Sequence, residues 1–89
     1  NSSNFREYLN ETFLHESTHI AQACSNGFYH GIRPFGISIS QMHLSQNRLE
    51  GLEASVQING ESVRNFEREA FWFENKPDKV RYVVQKYCF

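Results

Sequence analysis

Phe13-Leu14-His15-Glu16-Ser17-Thr18-His19-Ile20, residues 13–20, contains His15-Glu16-x-x-His19, the H-E-x-x-H pattern. Residues i and i+4 of a helix lie on one face, one turn apart. Two imidazoles placed that way can share one metal ion, and Zn²⁺ is the usual occupant. Glu16 flanks this face, where it can take a proton from a metal-activated water instead of ligating the metal. A metal that lowers the pKa of water, with a carboxylate base beside it, is the core of metal-assisted peptide hydrolysis. The alternative is a helix that happens to carry two surface histidines.

Working outward, the helical pattern extends well beyond the motif. Ser2-Ser3-Asn4 supplies N-cap residue types, and Asn4 with Glu7 three positions on predicts a capping box. From there to Ala23, the residues Phe5, Leu9, Phe13, Ile20 and Cys24 follow helical spacing, with Glu16 completing the stripe. The expectation is one broad face carrying the core contacts and the metal chemistry together. Ser25-Asn26-Gly27 ends the helix, with Gly27 suited to the residue just past it.

Residues 28–44 read differently. Gly31, Pro34 and Gly36 break any helix, and Phe35, Ile37 and Ile39 alternate with small or polar residues. This predicts a loop or edge strand lying over the helices, either walling an extended substrate or serving as a structured connector. Ser45 caps a second predicted helix from Gln46 to Ile58, with Leu49, Leu52 and Val56 as its apolar stripe and Gly51 weakening it. Asn59-Gly60 signals a turn. Ser62 is the expected cap of a third helix running to Asn75, with Val63, Phe66, Ala70 and Phe73 inward. Pro77 suits the first turn of a fourth, lined by Val80, Val83, Val84 and Tyr87. The fold class is therefore mainly α: about four helices with a short extended or irregular insertion, forming one domain over residues 1–89.

Composition narrows the functions. The chain has 89 residues, among them eight Phe, four Tyr and one Trp, enough aromatic area for a small core. Its formal net charge is −1 and its basic residues do not cluster, which argues against nucleic-acid binding. No apolar run approaches the roughly 20 residues that span a bilayer, so no transmembrane segment is expected. The chain starts at Asn1, which suggests a processed product or a fragment. Two cysteines, Cys24 and Cys88, lie at element ends. A disulfide between them is favoured over two buried thiols, and it would point to a periplasmic or secreted setting.

A catalytic zinc takes three protein ligands and keeps one position open. No further histidine follows His19 closely, so the third ligand has to come from elsewhere. The chain resembles a very small gluzincin-type zincin, an H-E-x-x-H zinc metallopeptidase. Members take their third ligand from a Glu on a later helix, often opening an E-x-x-A pattern. Glu67-Arg68-Glu69-Ala70 matches that pattern and makes Glu67 the implied ligand. A small side chain one turn on lets the two helices approach closely, whereas Glu69 would place Trp72 there. Glu69 stays open as the alternative, and Glu50 or Glu53 would serve if the second helix packs on the first. Gln22-Ala23-Cys24 after the motif also resembles short H-E-x-x-H proteins of cyanobacteria.

One position departs from the family. Many gluzincins carry Asp or Asn four residues after the ligand Glu to support a histidine, and here Phe71 stands there. Support has to come from another residue or be lost, at about 10–100-fold in affinity or activity. The resemblance implies a zinc cofactor, a peptide or protein substrate, Glu16 as general base, and a groove that is open or completed by a second copy in a homodimer. Tyr29, His30 and His43 are candidate oxyanion donors, weighed against a reading as exposed loop residues. The alternative to an enzyme is a helical interaction module with a structural or relic metal site.

Overall fold

The computed structural model describes residues 2–27 and 30–89, with the side chains of residues 2–5 and 8 left aside. The described residues form four helices: α1 (Ser2–Ser25), α2 (Gln46–Asn59), α3 (Arg64–Phe73) and α4 (Pro77–Cys88). Short 3-10 turns occupy Ile39–Gln41 and Glu61–Val63, and the described residues contain no strand. The mainly helical fold is as expected from the sequence. Among the described residues, no helix is long and apolar enough to cross a membrane.

Helix ends follow local chemistry. The Ser45 side chain caps α2 by accepting from the backbone N–H of Arg48 at 3.3 Å. Pro77 opens α4, where its missing N–H costs nothing. Gly27 follows α1 at φ 81°, a left-handed conformation that glycine adopts without strain, and its N–H bonds to Cys24 O. Two expected caps differ. α1 already includes Ser2 and Ser3, which places Asn4 inside the helix instead of at its cap. Ser62 lies within the 3-10 turn Glu61–Val63, and no side chain caps α3.

α1 packs against α3 and α4, and α2 packs on α3. The core joins Leu14 and Ala21 of α1, Phe73 of α3, and Val80 and Val83 of α4. Phe35 and Ile37 from the irregular segment close over it. Leu52 and Val56 are the buried residues of α2. Cys24 and Cys88 form a disulfide that fastens the end of α4 to the end of α1.

The orientation of α1 is the main correction. Leu9 is 51%, Phe13 67% and Ile20 53% exposed, so the stripe expected to face the core looks outward. The buried face is Leu14, His15, Thr18, Ala21 and Gln22. Three of those five are polar. Periodicity of apolar residues cannot find such a face, because burial here is made tolerable by specific hydrogen bonds instead of by apolarity. Thr18 satisfies its hydroxyl locally by donating to Leu14 O at 2.8 Å.

Candidate metal centre

His15 and His19 point from α1 toward Glu67 on α3. Their Nε2 atoms lie 3.0 and 2.6 Å from the same oxygen, Glu67 Oε1. The two imidazoles meet edge to face, with ring centres 4.9 Å apart. Among the described residues, His15, His19 and Glu67 form the one group of at least three such side chains with ligand atoms within 4.8 Å of one another. Ala70, one turn beyond Glu67, is fully buried, in keeping with the close approach that a small residue permits.

Each imidazole is held from behind. His15 Nδ1 donates to Glu74 Oε2 at 2.9 Å, and Glu74 Oε1 in turn accepts from Arg48 Nε at 3.0 Å. Arg48 also pairs with Glu11 at 3.1 Å, which carries the chain of charges back to α1. On the other side, His19 Nδ1 lies 2.8 Å from Gln22 Oε1. The Gln22 amide cannot be reversed without loss, because its Nε2 donates to two acceptors, Phe66 O at 3.0 Å and Glu69 Oε1 at 2.9 Å. Its oxygen therefore faces His19, and Nδ1 of that ring must carry the proton. In neutral His19 this leaves the Nε2 lone pair aimed at a carboxylate oxygen 2.6 Å away. Two acceptors at that distance repel unless a proton lies between them, and a metal shared by both would need them to part slightly to its bond lengths of about 2 Å.

The electrostatics fit a proton-filled form of the same arrangement. Burial opposes charge on His15, but its hydrogen bonds to Glu67 and Glu74 and their charges outweigh burial and push its pKa up to about 9. Burial likewise opposes charge on Glu67, yet hydrogen bonds from His15, His19 and Ser55 hold it far below the ordinary carboxylate range. Ser55 Oγ, on α2, donates to Glu67 Oε2 at 2.5 Å, leaving Oε1 for the histidines. Two imidazole nitrogens and one carboxylate oxygen are a donor set that suits Zn²⁺, with both rings oriented and the third group anionic.

Glu16 lies on the exposed side of α1 and lines a cleft of about 290 Å³ with Thr12, His15, Phe71, Glu11 and Glu74. Its carboxylate makes no hydrogen bond or ion pair among the described residues. Phe71, where the zincin pattern has Asp or Asn, meets the His15 ring edge-on with centres 4.6 Å apart. The carboxylate behind His15 is Glu74 instead, seven residues past Glu67 at the C-cap of α3. That spacing was readable in the sequence, but the family pattern directed attention to Phe71. The i+3 distance of Gln22 from His19 is the sequence signal for its role.

Other expected candidates sit elsewhere. Glu69 is 1% exposed and is spent on structure: it accepts from the backbone N–H groups of Phe35, Gly36 and Ile37 at 2.7, 3.0 and 3.1 Å. Glu53 pairs with Arg64, and Glu50 accepts from Gln46 at 3.4 Å; both are exposed. His30 and His43 are exposed and do not line the cleft at Glu16. Tyr29 lies outside the described residues. The segment expected as a substrate wall contributes nothing to this cleft either, because Glu69 fastens it over the opposite side of α3.

The whole chain, residues 1–89, matches a family described as a domain of unknown function, DUF8637, and belongs to it. No curated protein and no solved structure matches the chain.

Proposed function

We propose that this member of the DUF8637 family is a small zinc-dependent peptidase, with His15, His19 and Glu67 holding the ion and Glu16 as general base. The observation that supports it most is the convergence of His15 Nε2 and His19 Nε2 on Glu67 Oε1 while both Nδ1 atoms are tied to acceptors behind them. A Zn²⁺ ion at that point supplies a Lewis acid that polarises a peptide carbonyl and acidifies water.

The chain's own residues supply the rest. Glu74 and Gln22 fix the two rings, so the lone pairs aim without further ordering. Ser55 holds Glu67. Glu16, free in the cleft, takes the proton from the attacking water and passes it to the departing amine. Thr12 and Phe71 shape the wall against which the peptide lies.

The test is zinc content and peptide hydrolysis measured together. One zinc per chain is expected in wild type and in Glu16→Gln, and much less in Glu67→Ala. Glu69→Ala should keep its zinc, although its loop is loosened. Hydrolysis should be present in wild type and lost in Glu16→Gln. Failure to bind zinc, or equal hydrolysis by Glu16→Gln, sinks the proposal. Zinc without hydrolysis would instead identify an interaction module with a structural metal.

A further inference from the structure

A second concavity, of about 350 Å³, lies away from the metal centre, between the irregular segment and α4. Its floor is aromatic and aliphatic: Phe35 stacks on Tyr87 with ring centres 5.3 Å apart, and Ile37, Phe73 and Val83 fill in around them. Its rim is cationic. Lys86 Nζ sits 5.7 Å from the centre of the Tyr82 ring and 5.3 Å from that of Tyr87. Lys79 Nζ lies 5.9 Å from the Trp72 ring and Lys76 Nζ 4.5 Å from it. Neither Lys79 nor Lys86 has a carboxylate partner among the described residues. Lys76, just outside the lining, donates to Trp72 O at 2.7 Å and to Asn75 Oδ1 at 3.0 Å.

We infer that this groove binds an acidic peptide segment, taking one bulky apolar side chain onto the Phe35–Tyr87 floor and flanking carboxylates onto Lys79 and Lys86. The volume is at the small end of ligand sites, about 300–1,000 Å³, and suits one anchoring side chain. Charge complementarity selects carboxylates, which draw the ammonium groups off the ring faces that now hold them. The wall is preformed, since Glu69 ties down the N–H groups of residues 35, 36 and 37, so little ordering is lost on binding. The same bonds turn those donors inward, which rules out strand addition along this segment and leaves side-chain insertion as the mode. The two lysines lining the pocket are fewer than the 4–8 basic residues of a lipid-binding cluster, and they form no track for a phosphate backbone.

Trp72 is the single tryptophan of the chain and lines the groove, so its fluorescence reports binding directly. The probe is a blocked five-residue peptide with a central phenylalanine and two glutamates on each side. It is added to metal-free protein in chelator, so that hydrolysis plays no part. A saturable change is expected, weakened by salt and at least about tenfold weaker in the Lys79→Glu/Lys86→Glu double variant. Both lysines are exposed, so the double variant should keep the wild-type circular dichroism. Arg81→Glu, on α4 but outside the groove, should bind as wild type does. The inference is overturned by no saturation up to about 1 mM peptide, by equal binding of a lysine-flanked or alanine-centred peptide, or by full binding in the double variant. A Trp72 response to phosphatidylserine vesicles alone would overturn it in favour of a membrane surface.

Discussion

Glu74 Oε2 lies 2.9 Å from His15 Nδ1, joining the end of α3 to the middle of α1 across 59 positions of sequence. Glu74 is buried, and its other oxygen is held by Arg48. A carboxylate so placed raises the basicity of the ring and leaves Nε2 as the nitrogen that would meet the proposed ion. Glu74→Ala should therefore lower zinc affinity by about 10–100-fold. Glu74→Gln, which can still accept the hydrogen bond, should recover part of the loss. Competition titration against a zinc chelator reads both, and equal affinity in all three proteins would remove Glu74 from the centre.

The same contact sets a pH dependence for the metal-free protein. His15 is raised from 6.5 to about 9, so the folded state holds a proton that the unfolded state gives up earlier. The stabilisation is whole below pH 6.5 and is lost as pH climbs through about 9. Glu67 is shifted the other way, so its contribution is whole above its ordinary 4.5 and fades only in acid. The urea midpoint of the metal-free chain should thus be highest between 4.5 and 6.5 and fall toward pH 9. Excess zinc should reverse the slope on the alkaline side, because the ion takes the place of the proton. A flat midpoint without metal from pH 6.5 to 9 would contradict the assignment.

How much of this could be read from the sequence depends on the range of the interaction. The pairing of His15 with His19 was legible because one helix places them a turn apart, and Glu67 through the E-x-x-A pattern of the resemblance, which periodicity alone did not separate from Glu69. The Ser45 cap and the Pro77 start are local chemistry, legible from the residues themselves. The face of α1 was not legible. His15, Thr18 and Gln22 are buried because partners 44 to 59 residues away accept their hydrogen bonds, or because Thr18 bonds within its own helix. Leu9, Phe13 and Ile20 gave the stronger periodic signal and lie outside. Glu69 misled for the same reason: nothing adjacent in sequence says that its carboxylate gathers the N–H groups of residues 35–37.

The disulfide closes a loop across 64 positions and ties α4, which carries no candidate ligand, to α1, which carries His15 and His19. In the chain-entropy account, a loop of that length is worth about 4 kcal/mol. The Cys24→Ser/Cys88→Ser double variant should lose stability on that scale by urea denaturation. Under native conditions it should still bind one zinc, because His15, His19 and Glu67 all lie on α1 and α3. Loss of zinc with the fold retained would instead show that the docking of α4 shapes the centre.

Gly51 explains why α2 carries a residue that weakens a helix. A Cβ there would fall 2.8 Å from Cε1 and 3.0 Å from Cζ of Phe71. The same ring meets the His15 imidazole edge-on with centres 4.6 Å apart, so moving it disturbs that contact. Gly51→Ala gains about 1 kcal/mol of helix propensity and incurs an overpacking cost of about 1–3 kcal/mol. The expected result is a net loss of stability together with weaker zinc binding, since the displaced ring presses on His15. Shrinking the ring should relieve both effects, so Gly51→Ala/Phe71→Leu should bind zinc more tightly than Gly51→Ala alone. Thermal denaturation and zinc titration of the three proteins decide it. If Gly51→Ala is more stable than wild type and binds zinc equally well, Phe71 does not transmit the contact from α2 to the centre.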